Sequence, residues 1–298
     1  MNNNTEENKS QAILKKLAIK KAYNNYIIDW LENDLHDEKT ALNIKGCATQ
    51  VGITDVNGIT KIVRANFCRE RICNICAWRR QAKFTAQMFP TLNYISSVYG
   101  YEYILIGLTL KNVTIDNVNT AVNTLLEGYK KIARSKRFRE AFHGVIRSLE
   151  INYKAEENEF HPHLHLMCAV DKRYFLSNYI TQRELSFMWK TACNLSYIPV
   201  VHIEKITDDM SGAVETLKYS LKPTKAKEAL FVMYSTLKGR RLVSFSGCFA
   251  YVRRELKLSD FDTILTDEVN RKQRRYYDIY EFDVTGGVYT FYKSYLLE

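Results

Sequence analysis

Three histidines lie within five residues of one another, in the segment 161–167 that reads His-Pro-His-Leu-His-Leu-Met. Successive side chains of a β-strand point to opposite faces, so His163 and His165 would share one face and the intervening leucine would point to the other. Two imidazoles on one face can bind one cation. A third ligand from the same strand is unfavourable, because the Cα atoms of His161 and His165 would be roughly 13 Å apart at about 3.3 Å per residue.

The third ligand is expected from the segment just upstream. Residues 145–153 predict a strand with Glu150 on one face, and residues 155–159 predict a hairpin turn that would bring Glu150 close to the histidine pair. His161 is the other candidate for this third position. Two imidazoles and one carboxylate leave coordination positions open for phosphate oxygens, which suits a divalent ion acting on a phosphodiester. A structural zinc is the alternative interpretation of the histidines.

The composition favours an anionic partner that stacks on aromatic rings. Lys and Arg total 43 against 33 Asp and Glu, which gives a net charge of +10, and the chain contains 20 Tyr and 14 Phe. Nucleic acid fits this composition, although many basic proteins bind none. No apolar run reaches membrane-spanning length and residues 1–10 do not resemble a signal sequence, so a cytoplasmic protein is predicted. Its seven cysteines then indicate thiols or metal ligands rather than disulfides.

A second cluster that can carry chemistry consists of cysteines. Cys68, Cys73 and Cys76 lie within nine residues, and Cys47 is available upstream. The spacing of Cys73 and Cys76 lets a tight knuckle wrap a tetrahedral ion, so the four residues predict a zinc site, with a thioredoxin-like redox pair as the alternative. The neighbouring arginines are candidate phosphate contacts, and the alternative is that they cover an exposed helix surface. These candidates are Arg69, Arg71, Arg79 and Arg80.

The spacing of apolar residues predicts a basic amphipathic helix over residues 11–35 and a second helix from Ala77 towards Met88. After Pro90 the pattern changes to strands and helices in the order β-α-β-β-α-β, which is that of a ferredoxin-like split βαβ unit. Outside the histidine strand, these elements are predicted at 103–110, 117–132, 145–153, 181–195 and 200–206. The predicted fold class is α+β, an antiparallel sheet with helices plus an N-terminal helical and zinc-knuckle module.

A further helix is predicted over residues 211–222, because cap residues precede it and Pro223 follows it. Glu215 and Tyr219 are four residues apart and share one face, with Lys218 and Lys222 within a turn. A solvated ion pair is the ordinary explanation of such a pattern. Downstream, residues 242–251 predict a strand and turn that complete the sheet, and the apolar positions after residue 275 predict a terminal hairpin or sheet edge.

Together, these motifs resemble those of the plasmid rolling-circle replication initiators of the HUH endonuclease superfamily. The resemblance covers most of the chain, and a histidine pair followed about fifty residues later by a Tyr-x-x-Lys helix is its specific combination. Asn74 stands where relatives commonly carry proline, which affects no ligand. The matching segments are the cysteine cluster 67–80, the strand 106–110 (Ile-Gly-Leu-Thr-Leu), the histidine motif 161–165 and the helix 215–222 (Glu-Thr-Leu-Lys-Tyr-Ser-Leu-Lys).

The resemblance implies that Tyr219 attacks a DNA phosphodiester, becomes joined to the 5′ phosphate and leaves a free 3′ hydroxyl, and that Glu215 activates water for termination. A tyrosine hydroxyl is mostly protonated at neutral pH, so it needs help from the metal or from Lys218 or Lys222. Magnesium or manganese is expected at the catalytic site and zinc at the cysteines. The origin DNA must be single-stranded at the nick. A host helicase and a second copy of the chain are further expected partners.

Three domains are predicted. Residues 1–89 would form a DNA-binding helical and cysteine-cluster module, 90–252 the endonuclease domain, and 253–298 a C-terminal extension without an assigned task. The alternatives are a zinc-dependent origin-binding regulator without cleavage activity, and a mobilisation relaxase or transposase with the same chemistry. Metal stoichiometry separates enzyme from regulator, because the enzyme would bind one tight zinc and one exchangeable ion whereas the regulator would bind two tight zinc ions.

Overall fold

The computed structural model describes residues 3–56, 59–206, 226–258 and 275–297. Helices and antiparallel sheets alternate along these ranges, so the fold class is α+β. In chain order, the elements are α1 (Asn3–Asn33), α2 (Glu38–Lys45), β1 (Gln50–Val56), β2 (Ile59–Ala65), α3 (Asn74–Tyr99), β3 (Glu102–Thr109), α4 (Val118–Arg134), α5 (Lys136–Ala141), β4 (Gly144–Lys154), β5 (Glu159–Val170), α6 (Tyr174–Ser177), α7 (Gln182–Cys193), β6 (Val201–Lys205), α8 (Lys227–Leu237), β7 (Val243–Gly247), α9 (Cys248–Glu255), β8 (Arg275–Asp283) and β9 (Val288–Leu297).

The chain divides into two compact units, and the division falls inside α3. The first unit contains the described residues of Met1–Lys83, Leu221–Leu230 and Asp260–Glu298. The second contains the described residues of Phe84–Ser220 and Phe231–Ser259. Each unit therefore holds one of the two sheets.

The first unit contains a four-stranded sheet in the order β2-β1-β8-β9. The terminal hairpin predicted from the sequence is present as β8 and β9, and β8 pairs with β1 so that Val51 lies opposite Tyr280. The Tyr289 hydroxyl donates a hydrogen bond to the Ala48 carbonyl at 2.6 Å. The predicted N-terminal helix is also present, and as α1 it buries a stripe that includes Leu17 and Leu31. Strands that are more than 200 residues apart in the sequence thus form one sheet.

The second unit contains a five-stranded antiparallel sheet in the order β6-β3-β5-β4-β7. The predicted elements from β3 to β6 occur in the predicted sequence order. A short turn joins β4 to β5, and its last residue, Asn158, has a φ of 50°, a left-handed conformation that asparagine tolerates well. The Tyr153 hydroxyl donates to Oδ1 of Asn158 at 3.0 Å. This turn fixes the register of the hairpin that carries Glu150 and the histidines.

Helices cover the two faces of this sheet. On one face, Ile146 and Met167 lie opposite each other and pack with Leu92 of α3 and Phe249 of α9 in a buried cluster. On the other face, the guanidinium of Arg147 lies over the ring of Tyr129 in α4, with Cζ 5.7 Å from its centroid. Alternation along β5 puts His163 and His165 on the same face as Met167. The histidines therefore lie on the same face of the sheet that α3 and α9 cover around Ile146 and Met167.

Two sequence-based expectations about helices are wrong. First, Pro90 does not end the helix, and α3 continues to Tyr99. Proline lacks the N–H for one helical hydrogen bond, but Leu92 and Ile95 beyond it are fully buried and hold the last turns against the core.

Second, residues 248–255 form α9 instead of a turn. Gly247 makes the sharp change of direction with a φ of 56°, and a Cβ at this position would overlap the carbonyl oxygen of His143. Phe249 and Val252, three residues apart, bury one face of the helix. The predicted helix over residues 211–222 lies outside the described residues.

Across the four described ranges, no helix combines the length and the low polarity that crossing a bilayer requires.

Candidate functional site

The β4–β5 hairpin brings Glu150 and two histidines together. Glu150 lies directly opposite His163 in the strand register, and Ser148 lies opposite His165. Directly opposite side chains of an antiparallel pair point to the same face, and residues two apart on one strand do so as well. The short turn and the alternation of β-structure are thus enough to position all three side chains.

The three side chains converge on one point. Oε2 of Glu150 lies 3.0 Å from Nε2 of His165 and 3.3 Å from Nε2 of His163. The two Nε2 atoms are 2.9 Å apart. All three ligand atoms lie within 4.8 Å of one another, so the group can hold a metal ion. Two imidazoles and a carboxylate are a ligand set that divalent transition metals bind and that leaves positions open for substrate.

Hydrogen bonding prepares His163 for a metal. Nδ1 of His163 lies 3.1 Å from the carbonyl oxygen of His161. A carbonyl oxygen only accepts hydrogen bonds, so Nδ1 carries a proton and Nε2 is the atom that a metal ion would bind. Metal-binding histidines commonly use this arrangement, in which a backbone carbonyl fixes the tautomer.

Glu150 is held in its charged form. Burial raises the pKa of its carboxyl group, but the hydrogen bonds and positive charge of His163 and His165 outweigh burial and lower the pKa to about 2. His161 is on the same face but is not part of this group of ligand atoms. Its Nδ1 instead lies 2.9 Å from Oδ1 of Asn112. Of the two candidates for the third ligand, Glu150 is therefore the one beside the histidine pair.

One side of this group is open to solvent. The side chain of His165 is 24% exposed, whereas those of His163 and Glu150 are 8% and 13% exposed. Within the described ranges, His165 is thus the most accessible of the three ligand side chains. Next to His165, the hydroxyl of Ser148 is buried and has no hydrogen-bond partner within the described ranges.

The four cysteines also come together, in the first unit. The Sγ atom of Cys47 is 3.6 Å from that of Cys76 and 3.7 Å from that of Cys73, and Cys68 is 3.6 Å from Cys76. Four thiolates placed about 2.3 Å from a tetrahedral zinc would be about 3.8 Å apart. These separations fit such an ion, and they are far longer than the S–S bond of a disulfide. The cluster can hold a metal ion.

Several N–H groups point at these sulfur atoms. Nδ2 of Asn24 donates to Sγ of Cys73 at 3.3 Å, and the backbone N–H of Arg69 donates to Sγ of Cys76 at 3.2 Å. Hydrogen bonds from Cys47 and Cys68 lower the pKa of the Cys73 and Cys76 thiols, whereas hydrogen bonds with Cys73 and Cys76 raise the pKa of the Cys47 and Cys68 thiols. The N–H donors thus favour the thiolate form of Cys73 and Cys76, which is the form that binds metals.

Two α1 residues beside the cluster were missed in the sequence. Asn24 contacts Cys73, and the buried Nζ of Lys21 donates to the carbonyl of Cys47 at 2.7 Å. The sequence predicts a basic amphipathic helix here and assigns no role to these two residues. The sequence holds a partial signal for their burial. Lys21 and Asn24 fall on the same helical stripe as the apolar residues Leu14, Leu17 and Leu31.

The candidate DNA-binding arginines have different surroundings. The guanidinium of Arg79 lies over the ring of Phe67, with Cζ 4.5 Å from its centroid. Arg80 donates hydrogen bonds to three consecutive loop carbonyls, those of residues 69–71, at distances from 2.9 to 3.5 Å. Arg80 therefore stabilises the loop that carries Cys68. Contact of Arg69, Arg71, Arg79 and Arg80 with DNA stays a prediction.

Glu215, Lys218, Tyr219 and Lys222 lie within residues 207–225, outside the described residues. The described chain ends β6 at Lys205 and begins α8 at Lys227.

Comparison with known proteins agrees with the resemblance in the motifs. A "Protein rep" of Bacillus amyloliquefaciens is 29% identical over 252 residues, covering 74% of this chain and 74% of its own length. A "Protein rep" of Streptococcus pneumoniae is 28% identical over 229 residues, with 72% of each chain covered. A third, from Staphylococcus aureus, is 31% identical over 163 residues, which are 54% of this chain and 71% of that relative. No solved structure matches the chain significantly.

The family model described as "Replication protein" matches residues 59–290. The matched range includes three of the four cysteines, the hairpin with Glu150 and the histidines, and the predicted nucleophile helix. The match covers well over half of the sequence, and its description agrees with the names of the relatives called "Protein rep". The resemblance to replication initiators is thereby confirmed, and the chain belongs to the replication-protein family.

Proposed function

We propose that this protein initiates plasmid replication by nicking one strand of its origin DNA, with Tyr219 as the nucleophile and a divalent metal ion at Glu150, His163 and His165. The product would be a 5′-phosphotyrosine link and a free 3′ hydroxyl that primes synthesis. The observation that carries this proposal is the convergence of the three ligand atoms within 4.8 Å on a face that is open beside His165. A substrate phosphate can approach a metal ion from that side.

The topology of the second unit supports an endonuclease fold of the HUH type. In the order β6-β3-β5-β4, the strand β5 lies between β3 and β4, which are joined by α4. A strand inserted between the two strands of a βαβ connection is the feature of the split βαβ unit. We infer that residues 90–252 contain the catalytic domain and that residues 1–89 and 253–298 flank it.

The residues of the site suit a divalent ion acting on a phosphodiester. A magnesium or manganese ion held by Glu150, His163 and His165 would withdraw charge from the non-bridging phosphate oxygens, and the histidine ligands would also admit manganese. Glu150 supplies a negative charge that does not depend on pH in the physiological range, since its pKa is about 2. His163 presents Nε2 because the His161 carbonyl holds the proton on Nδ1.

The chemical step is a transesterification. The hydroxyl oxygen of Tyr219 forms a bond to phosphorus while the bond from phosphorus to the 3′ oxygen breaks. Lys218 and Lys222 assist the loss of the hydroxyl proton, and the departing 3′ oxygen takes up a proton. Because the phosphodiester bond energy is kept in the new phosphotyrosine, the linkage can be reversed or hydrolysed at termination.

The cysteine cluster would hold a structural zinc ion, because four sulfur ligands leave no position for a substrate. Its role in origin binding would be to fix the loop that carries Arg69 and Arg71. Phosphate contacts from this loop add affinity without reading the sequence. The proposed partners are the origin DNA, unpaired at the nick, a host helicase and a second copy of the chain.

The direct test uses supercoiled plasmid carrying the origin, incubated with the protein and manganese. The wild-type protein is expected to produce nicked circles with protein attached to the 5′ end. Tyr219→Phe removes only the hydroxyl, so the covalent adduct should fall below detection while DNA binding is retained. The matched control is Tyr234→Phe, which should form the adduct normally. Mass spectrometry that finds the nucleotide on a different tyrosine would disprove the assignment of Tyr219.

Glu215→Ala tests the proposed termination step separately. Residues four apart on a helix can address the same phosphate, but a carboxylate acts as a general base whereas a phenol oxygen acts as a nucleophile. This variant should still nick the origin and form the adduct. Its defect should appear as failure to release finished circles, followed as persistent adduct over time. Normal release of circles would exclude Glu215 from the closing step.

A further inference from the structure

Gly107 lies in the middle of β3, which has a paired strand on each side. It is directly opposite His165 of β5 on one side and His202 of β6 on the other, and the register is regular at both pairs. Its φ is not positive, so no turn or bulge requires a glycine here. Glycine destabilises a strand relative to alanine, because it loses more conformational freedom on folding. The backbone of β3 therefore gives no reason for this glycine.

Packing within the protein gives no reason either. A Cβ added at Gly107 would lie 3.6 Å from Cβ of His202, an ordinary contact distance, and apart from the chain neighbours no other atom of the described ranges would come within 4 Å. Gly107 is half-buried, whereas Ile106 and Leu108 are buried on the opposite face of the sheet. No described residue fills the volume that a side chain would take, which we call the Gly107 gap. Glycines inside strands often mark the close approach of a ligand.

The Gly107 gap borders the candidate metal centre. Directly opposite side chains share a face, so His165, the gap and His202 lie side by side on the face that carries Glu150. The side chain of His202 is 68% exposed and that of His165 is 24% exposed. The Cα atoms of these two histidines are about 10 Å apart, at twice the strand spacing of about 4.8 Å. Offset-stacked rings have centroids from about 4.5 Å apart, so this width admits one planar ring between two imidazoles.

Charge indicates which part of a DNA strand suits the gap. Oε2 of Glu204 lies 3.5 Å from Nε2 of His202, and the Glu204 side chain is 64% exposed on the same face. A carboxylate repels a phosphate group but not an uncharged base. The imidazole of His202 offers a ring face on which a base can stack, and stacking accepts every base. A nucleobase therefore fits here better than a phosphate.

We propose that the Gly107 gap receives the nucleobase next to the scissile phosphate, with His202 as its stacking partner. The proposal rests on the proposed function, since that function brings DNA to the metal centre. A base held beside His165 positions its phosphate at the ligand group, and such positioning accelerates a reaction between bound groups. Glycine suits the position because any side chain would occupy the place of the base.

Two substitutions fill the gap stepwise, Gly107→Ala and Gly107→Val. Full-length protein is titrated into a fluorescently labelled oligothymidylate in EDTA, so that neither metal nor cleavage contributes. Gly107→Val is expected to weaken binding about tenfold, the effect of losing one base stack, and Gly107→Ala to weaken it less. His202→Ala should weaken binding to a similar extent as Gly107→Val. Glu204→Ala is the matched control: it truncates a similarly exposed residue on the same strand and face, and it should not weaken binding.

Thermal unfolding without DNA separates a ligand gap from a structural role. Because strands favour alanine and valine over glycine, both Gly107 variants should unfold at the wild-type temperature or about 2 °C higher. A lower unfolding temperature in Gly107→Ala would mean that the glycine serves the fold, and would refute the proposal.

The binding data have three further outcomes. Unchanged oligothymidylate binding by Gly107→Val, in a protein whose wild type nicks origin plasmid, would refute the gap and leave the proposed function standing. An equal loss of binding in Glu204→Ala would refute His202 as the stacking partner. Weaker binding by Gly107→Val, in a protein whose wild type never nicks origin plasmid, would support base binding in the gap and refute the proposed function.

Discussion

Replacing His163 or His165 by alanine is expected to abolish the proposed strand cleavage while leaving the proposed origin binding largely intact. The two Nε2 atoms and Oε2 of Glu150 lie within 4.8 Å of one another, so each substitution removes one of three ligand atoms. Stabilisation of phosphoryl charge by a metal ion contributes several kcal/mol, and about 4 kcal/mol corresponds to about a thousandfold in rate. The measurement is conversion of supercoiled origin plasmid to nicked circles in manganese.

His161→Ala is the matched control for this prediction. His161 lies on the same strand and the same face, but it contacts Asn112 and is not part of the group of ligand atoms. It should retain cleavage within about tenfold, because His161 contacts His163 through its backbone carbonyl, which alanine keeps. Circular dichroism should show all three variants folded. If His161→Ala loses as much activity as His163→Ala, or if His163→Ala unfolds, the metal-centre assignment is wrong.

Replacing Cys73 by serine is expected to release the metal of the cysteine cluster and to unfold the region around it. Cys73 is fully buried, and its Sγ receives a hydrogen bond from Asn24 and lies 3.7 Å from Sγ of Cys47. Structural zinc binding contributes about 10–16 kcal/mol in small peptides, which equals or exceeds the stability of a typical domain, about 5–15 kcal/mol. We therefore expect the first unit to depend on a bound metal ion for its folding.

Zinc content by mass spectrometry and hydrogen exchange of residues 40–80 test this expectation together. In Cys73→Ser, zinc should be absent and the amides of this range should exchange rapidly, whereas β3 to β5 should stay protected. Cys248→Ser is the matched control, because Cys248 is distant in sequence from the cluster and is not one of its four ligands. It should retain zinc. A wild-type protein that is folded and free of zinc would contradict the assignment.

The sequence by itself determined the hairpin that carries the candidate metal centre. Strand alternation placed His163 and His165 on one face, and the turn at residues 155–158 fixed the register that set Glu150 opposite His163. Both are local effects, since neighbours along the strand and a short turn decide them. The spacing of Cys73 and Cys76 is equally local. For this reason the ligand groups were visible without a structure.

Only the tertiary structure determined the surroundings of these groups. Asn24 contacts Cys73 from a helix that precedes it by 49 residues, and β8 pairs with β1 from the other end of the chain. Arg253 reaches Gln87 across 166 residues. Contacts between distant segments follow from how complete helices and sheets pack, and neither periodicity nor spacing encodes which partner they meet. The continuation of α3 through Pro90 has the same origin, because the burial of Leu92 and Ile95 in the core outweighs the local preference of proline.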